Sequence, residues 1–542
     1  MRTHRADDDA RPDTRVRLPR MPRADAASGP RTRHTEPDPG DVAHGPRPDD
    51  VPPHGSLTTT LARWASGLRH DDLPDRISAY ATSQLISHLA VVRAGMTHPL
   101  GHKLVEAFGP PTGDRPEQAA YVMAALSSCL YLEDSMYVGH VSHSTVGVPL
   151  AFRREQRLTG ERLLTAMVAA NECAARVTAA STLGPFRGQT AAHAQLVGAV
   201  AAKLHGAGAP AAEWTDAWGL ALAAPPWSLR RAFLGSDAKV LSASVPVRVG
   251  LDACRAAAAG LTGAEDILEH PGGLLAKVSE VPTPEVVTAG LGTRWHTETL
   301  SFKVHPAGAY VDAAIDCACE LHGLLTPAEV DDIDEVVVRA ARLTMVMDRE
   351  ARPYLDRERS AILALNLSVA YNVATALLTG GVTTADLTEP ATADPVRWAL
   401  AAKVRLEYDP ELSRGLLSAT APLGEALRQA EERAEEWFRD FSGGRTAPGV
   451  FPRGAPSPTF EHATKAIGSR IEVTLRTGRT LRAERAHALG SAGAETRRNH
   501  RRIALDKLAA TGAPADAVEC LRHTASLDAA ELDAAVRAVL SG

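Results

Sequence analysis

From about residue 56 to 300 the chain repeats one pattern: apolar side chains three and four positions apart, broken by glycines and short polar stretches. Such spacing puts the apolar residues on one face of a helix. It predicts helices in RISAYATSQLISHLAVVRAG, closing at Gly95, and in PEQAAYVMAALSSCLYLED, which runs directly into a polar motif. Three more follow, in GERLLTAMVAANECAARVTAAS, TAAHAQLVGAVAAKLHGAG and AKVLSASVPVRVGLDACRAAAAGL, the last with small residues that permit close helix contact. Several are apolar nearly all round, as in the interior of a large bundle.

Near residue 300 the pattern changes. LSFKV and DEVVVRA alternate or run β-branched, as strands do. LALNLSVAYNVATALLTGG returns to helix, and SRIEVTLRTGRTLRAE reads as a hairpin turning at Thr477–Gly478. RRIALDKLAATG and DAAELDAAVRAVL are helical again. The expected fold is mainly α: helical stretches at 56–300 and 486–542, with an α+β domain inserted at 301–485. FSGGRTAPGVFPRGAPSPTF (441–460) is Gly/Pro-rich and reads as a linker or lid loop.

Composition narrows the function. Residues 1–55 are crowded with Arg, Asp and Pro and have almost no large apolar side chains, so a disordered tail is expected there. The 542 residues carry a formal charge of −6 and no basic stripe in the folded part, which argues against a nucleic-acid partner. No stretch has the length of a membrane span, and the N-terminus lacks the apolar segment of a signal peptide. Six scattered cysteines without metal or redox spacing suggest core fillers in a reducing, cytoplasmic setting.

The chemistry concentrates in LEDSMYVGHVSHST, where Glu133, Asp134, His140 and His143 fall within eleven residues between helices. A histidine oriented by a carboxylate titrates near neutrality and can move protons. Adjacent carboxylates at a helix end point in different directions and should not share one role. His140 with His143 is at most half a metal site, so no metal is expected. Glu172 and Arg176, at i and i+4, read as a structural pair.

The order of these segments resembles the MmgE/PrpD family, which includes 2-methylcitrate dehydratases and cis-aconitate decarboxylases. LEDS…HVSHST is similar to its Asp-Asp-Thr…His-Pro-Ser loop. SDAKVLSASVPVRVGLDA and LSFKVHPAGAYVDAAID are similar to its two lysine-bearing segments, and GQTAAHAQLVGAVAAKLHG to a further helix. The resemblance implies an all-helical domain built from both chain ends, a smaller α+β lid, a site between them and a homodimer. It also implies elimination or decarboxylation through an enolate-like species without a cofactor.

On that resemblance His143, Lys239, Lys303 and Asp134 are the catalytic candidates. Glu133, Ser135, Gln189, Tyr310 and His140 are the substrate-binding ones. Lysine ammoniums would hold a carboxylate or a developing enolate oxygen. Several polar positions of the family pattern are altered: Glu133-Asp134-Ser135 replaces Asp-Asp-Thr, Gln189 stands at a usual histidine, and Ala307-Gly308-Ala309-Tyr310 follows the second lysine. This thinning suggests a small-molecule substrate larger and less charged than a tricarboxylate, such as a polyketide intermediate, with Michael-type ring closure as a follow-on step. A 2-methylcitrate- or aconitate-type dehydratase, and a non-catalytic relative serving as a binding or scaffold subunit, are the alternatives.

Overall fold

The computed structural model describes residues 55–137, 139–441 and 451–541. The tail at 1–55 therefore lies outside the described residues except for Gly55, as does most of the first half of the 441–460 linker. The described residues are predominantly helical, with one four-stranded sheet.

The periodic segments fold as long buried helices: Asp75–Thr97, Pro116–Ser128, Gly160–Ala180, Ala194–Ala207 and Lys239–Ala258. Small residues set how closely they approach. A Cβ on Gly250 would stand 3.0 Å from Ala199 Cβ, and one on Gly198 would stand 2.9 Å from Thr145 Cγ2. Gly198 thus lets the loop carrying His143 lie directly on a core helix. The late helices Ala494–Ala509 and Ala529–Leu540 pack on Asp75–Thr97, so both ends of the described chain share one apolar core.

The sheet comprises β1 (Ile333–Ala340), β2 (Val404–Tyr408), β3 (Ser469–Leu475) and β4 (Thr480–Arg485), in the order β2-β1-β3-β4. β1 and β2 are parallel; the other pairs are antiparallel. Alternation in β3 buries Ile471, Val473 and Leu475 against the helices Asp312–His322 and Val369–Thr379. Gly478, at φ +87°, makes the hairpin turn foreseen between β3 and β4.

Four local expectations need correction. LSFKV forms no strand; it contributes only the bridge Ser135↔Ser301, because Phe302 N–H donates to Gly490 O and Ser301 Oγ accepts from Ala492 N–H. The Pro116 helix stops at Ser128, six residues before Asp134. LALNLSVAYN divides into Ile362–Leu367 and Val369–Thr379 at Ser368, whose hydroxyl caps Tyr371 N–H at 3.2 Å. β2 went unforeseen: it is five residues long and follows closely on the helix Pro395–Ala401.

Glu172 and Arg176 pair as expected, fully buried, at 3.5 Å. They also clamp a distant turn. The carboxylate accepts from His296 N–H (3.0 Å), Thr297 N–H (2.8 Å) and the Thr297 hydroxyl (2.9 Å). The guanidinium donates to Ala289 O (2.7 Å) and Arg294 O (2.8 Å). This turn leads into Ser301 and Lys303. Glu172→Ala strands a buried guanidinium, a loss worth about 3–5 kcal/mol, so its urea unfolding midpoint should fall well below that of the parent protein.

Candidate active site

Residues 131–137 leave the helix through a strained backbone. Tyr131 and Tyr137 have φ of 59° and 50°, a left-handed conformation that bulky side chains rarely adopt. Outliers of this kind cost of order 1–3 kcal/mol each and persist where surrounding contacts hold them. At Tyr131 the contacts are lysines, whereas Tyr137 packs on His296 and Phe460. Lys239 Nζ donates to Ser128 O and Lys303 Nζ to Tyr131 O, and both ammoniums lie over the Tyr131 ring, at 4.5 and 4.1 Å from its centroid. Asn366 Nδ2 bridges Leu130 O (3.4 Å) and Pro306 O (2.5 Å), tying this segment to the one that carries Lys303.

Glu133 is the hub. Its Oε1 accepts from Lys239 Nζ at 3.1 Å, with His140 Nδ1 at 3.1 Å and His143 Nε2 at 3.6 Å. Only the lysine contact has hydrogen-bond alignment; the imidazoles are close electrostatic neighbours. Oε2 is buried and has no hydrogen-bond partner among the described residues. Burial pushes this carboxyl upward, but the Lys239 ammonium and the two imidazoles outweigh it and hold it well below the usual range. His143 Nδ1 lies 2.7 Å from Ser127 Oγ, which is also 3.2 Å from Ala124 O. When the serine donates to Nδ1, Nε2–H faces Glu133 and helps to hold that carboxyl low.

Asp134 points elsewhere, as adjacent carboxylates should. Its Oδ1 accepts from the Ser87 hydroxyl at 2.8 Å and lies 3.6 Å from Lys507 Nζ; Lys507 also donates to Ser87 Oγ and Leu132 O, both at 2.9 Å. Burial raises the Asp134 carboxyl to about 6. Ser135 pairs its backbone with Ser301, and its hydroxyl accepts from Lys465 Nζ at 2.8 Å. Tyr310 is half-buried, its phenol pushed up to about 12 by burial. Lys507 also lines a cavity of about 460 Å³ whose apolar walls include Leu132, Val304, Pro306 and Ile503.

The structure thus brings Glu133, His140, His143 and Lys239 together, with Lys303 joined to them across Tyr131. Gln189 is not among them. Its amide accepts from Arg187 N–H (2.6 Å) and donates to Pro185 O (3.0 Å) and Val278 O (3.1 Å), which pins the start of its helix instead. Sequence reasoning missed Tyr131, Asp312, Lys465 and Lys507. Lys507 sits in a helix of charged residues, and nothing in its local pattern separates it from a solvated face. Among the described residues no group of three or more His, Cys, Asp or Glu is placed to hold a metal ion.

Strained backbone, a buried carboxylate and converging imidazole and ammonium groups thus meet in one place of a mainly helical protein. The chain belongs to the MmgE/PrpD family: residues 59–287 match the MmgE/PrpD N-terminal domain and 305–448 the MmgE/PrpD C-terminal domain. This membership supports a function of the dehydratase or lyase type. No individual curated protein matches the chain. Among the described residues no helix is long and apolar enough to cross a membrane.

Acid should loosen this site. Burial lowers His140 to about 4, and His88, whose ring nitrogens are buried without partners on the helix Asp75–Thr97, to about 3, from 6.5. Below pH 6.5 the unfolded chain takes up protons on these rings that the folded chain refuses, so stability falls as pH drops toward 4. Glu133 acts in the same direction: its depressed folded value gives stability above its ordinary 4.5 that is lost on acidification. Asp134, raised to about 6, acts in the opposite sense below pH 6, so the melting temperature should fall in net terms between pH 6.5 and 4 rather than at a constant slope, and imidazole NMR titration should show His140 still neutral at pH 5.

Proposed function

We propose that the protein is a cofactor-independent lyase that removes a proton α to a carbonyl and expels a β-hydroxyl as water, giving an α,β-unsaturated product. One observation carries this reading: His143, Glu133 and Lys239 meet within 3.6 Å in a buried setting. A base needs a bare acceptor, and the unpartnered Glu133 Oε2 supplies one. An enolate needs a cation where charge develops, and in a water-poor site an ammonium there is worth far more than in solution. In this reading Lys239 and Lys303 take that role, and His143 then delivers the proton that lets hydroxide leave as water. Asp134, carrying its own lysine, keeps the loop charged and oriented, and His140 flanks the substrate. The α+β segment at 301–485 serves as the lid over this cluster, and the working form is a homodimer in the cytoplasm.

For the substrate, the apolar cavity beside Leu132 and Val304 favours a compound with a hydrocarbon arm, such as a polyketide intermediate, over a compact tricarboxylate. In such a substrate the enone formed by dehydration is open to attack by a hydroxyl of the same molecule, closing a ring by Michael-type addition. A 2-methylcitrate- or aconitate-type reaction is the competing assignment.

The test is direct. Purified protein is given 3-hydroxyacyl substrates, 2-methylcitrate and cis-aconitate in parallel, and loss of water or carbon dioxide is followed by mass spectrometry. The expected result is water loss from the hydroxyacyl compounds, with His143→Gln and Lys303→Ala each lowering turnover by about 10²-fold or more. Full turnover in both variants overturns the assignment.

A further inference from the structure

A second pair of buried charges lies beside the cluster. Lys465 sits on the segment leading into β3, and its backbone N–H donates to Ala492 O. Its side chain is 4 % exposed, yet its one hydrogen bond among the described residues is to the neutral Ser135 hydroxyl. Lys303, 3 % exposed, likewise bonds only a neutral oxygen, the Tyr131 carbonyl. No carboxylate of the described residues lies within 4.0 Å of either ammonium, although buried ammoniums are strongly disfavoured without a counter-charge. The nearest acid in electrostatic terms is Asp312, which acts on both lysines and whose Oδ1 is buried without a hydrogen-bond partner. The Ser135↔Ser301 bridge links the segments behind the two lysines: Lys465 bonds the Ser135 hydroxyl, Lys303 follows Ser301 by two residues, and the two ammoniums act on one another electrostatically.

The charges count out unevenly. Lys239 is matched by Glu133, and Lys507 by Asp134. Lys303 and Lys465 share Asp312, and Glu133 also acts on Lys303, so four lysines (Lys239, Lys303, Lys465 and Lys507) face three carboxylates (Glu133, Asp134 and Asp312). Burial lowers both lysines only to about 8, so both are charged at neutral pH.

We infer that Lys465 and Lys303 form the seat for a single carboxylate of the substrate, next to Ser135, and that the substrate is a singly charged β-hydroxy acid. The inference rests on the lyase reading for the word substrate, and on geometry and charge for the seat itself. Lys465 is a substrate-binding residue here: it supplies three donors, one held by Ser135, and an ammonium that a carboxylate would complete. One spare charge suits a monocarboxylate and leaves the further carboxylates of a tricarboxylate unmatched in a buried site. A hydrocarbon arm on that acid agrees with the apolar part of the cavity lined by Leu132 and by Val304, the residue after Lys303.

The test compares 3-hydroxyoctanoate, its methyl ester and tricarballylate by calorimetric titration of the full chain at pH 7. The acid should bind at least tenfold more tightly than the ester and more tightly than tricarballylate, and its affinity should weaken as pH rises past 8. Lys465→Met should weaken the acid at least tenfold and leave the ester unchanged, whereas Lys465→Arg should retain most of the acid's affinity. Equal binding of acid and ester by the parent protein, tighter binding of tricarballylate, no binding of the acid at millimolar concentration, or an unaffected Lys465→Met overturns the proposal. The acid–ester comparison needs no variant, so it stands even if the methionine form misfolds. A seat that binds the acid without turning it over sinks the lyase reading alone; turnover with indifference to ester formation sinks the seat alone.

Discussion

One carboxylate oxygen organises the centre of this molecule. Glu133 is buried, ionised and approached on Oε1 by one ammonium and two imidazoles. A carboxylate taken out of water without such neighbours would give up its charge or unfold its surroundings. With them it fixes where Lys239 reaches from its helix and where the loop after Tyr137 returns. The lysine bonds to Ser128 O and Tyr131 O lie where the Pro116 helix ends and the backbone turns left-handed at Tyr131. The carbonyls that would have continued the helix are occupied by the cations that the carboxylate requires.

The remaining architecture supplies reach. The Glu172–Arg176 clamp brings the turn at 289–297 onto a core helix, and from there the chain runs past Ser135 to Lys303. Asn366 adds a second tie between the same two segments. These contacts are buried and made largely by backbone groups, so they hold loop residues with the precision usually given by regular structure.

Much of the fold was legible because periodicity reports burial. The long helices, β1, the hairpin at Gly478 and the Glu172–Arg176 pair were all readable from spacing. What escaped depends on tertiary context. Where the Pro116 helix ends is decided by lysines more than a hundred residues away, and LSFKV is kept out of the sheet by residues near 490. The candidate site was legible where titratable groups crowd one loop, at Glu133, His140 and His143. It was not legible at Lys465 and Lys507, which stand alone in sequence and gain meaning only from the hydroxyls and acids they meet. Gln189 shows the converse: a suggestive position whose amide satisfies local backbone.

The distribution of charges along the chain bears on how the protein is made. Asp134 emerges from the ribosome hundreds of residues before Lys507, and Ser135 hundreds before Lys465. Until those late segments appear, a nascent chain lacks both the C-terminal helices that cover Asp75–Thr97 and a counter-ion for Asp134. Domains otherwise tend to fold as synthesis proceeds. Here the site is completed last, so a chain cut short before Lys465 lacks both late ammoniums even when its early helices have formed.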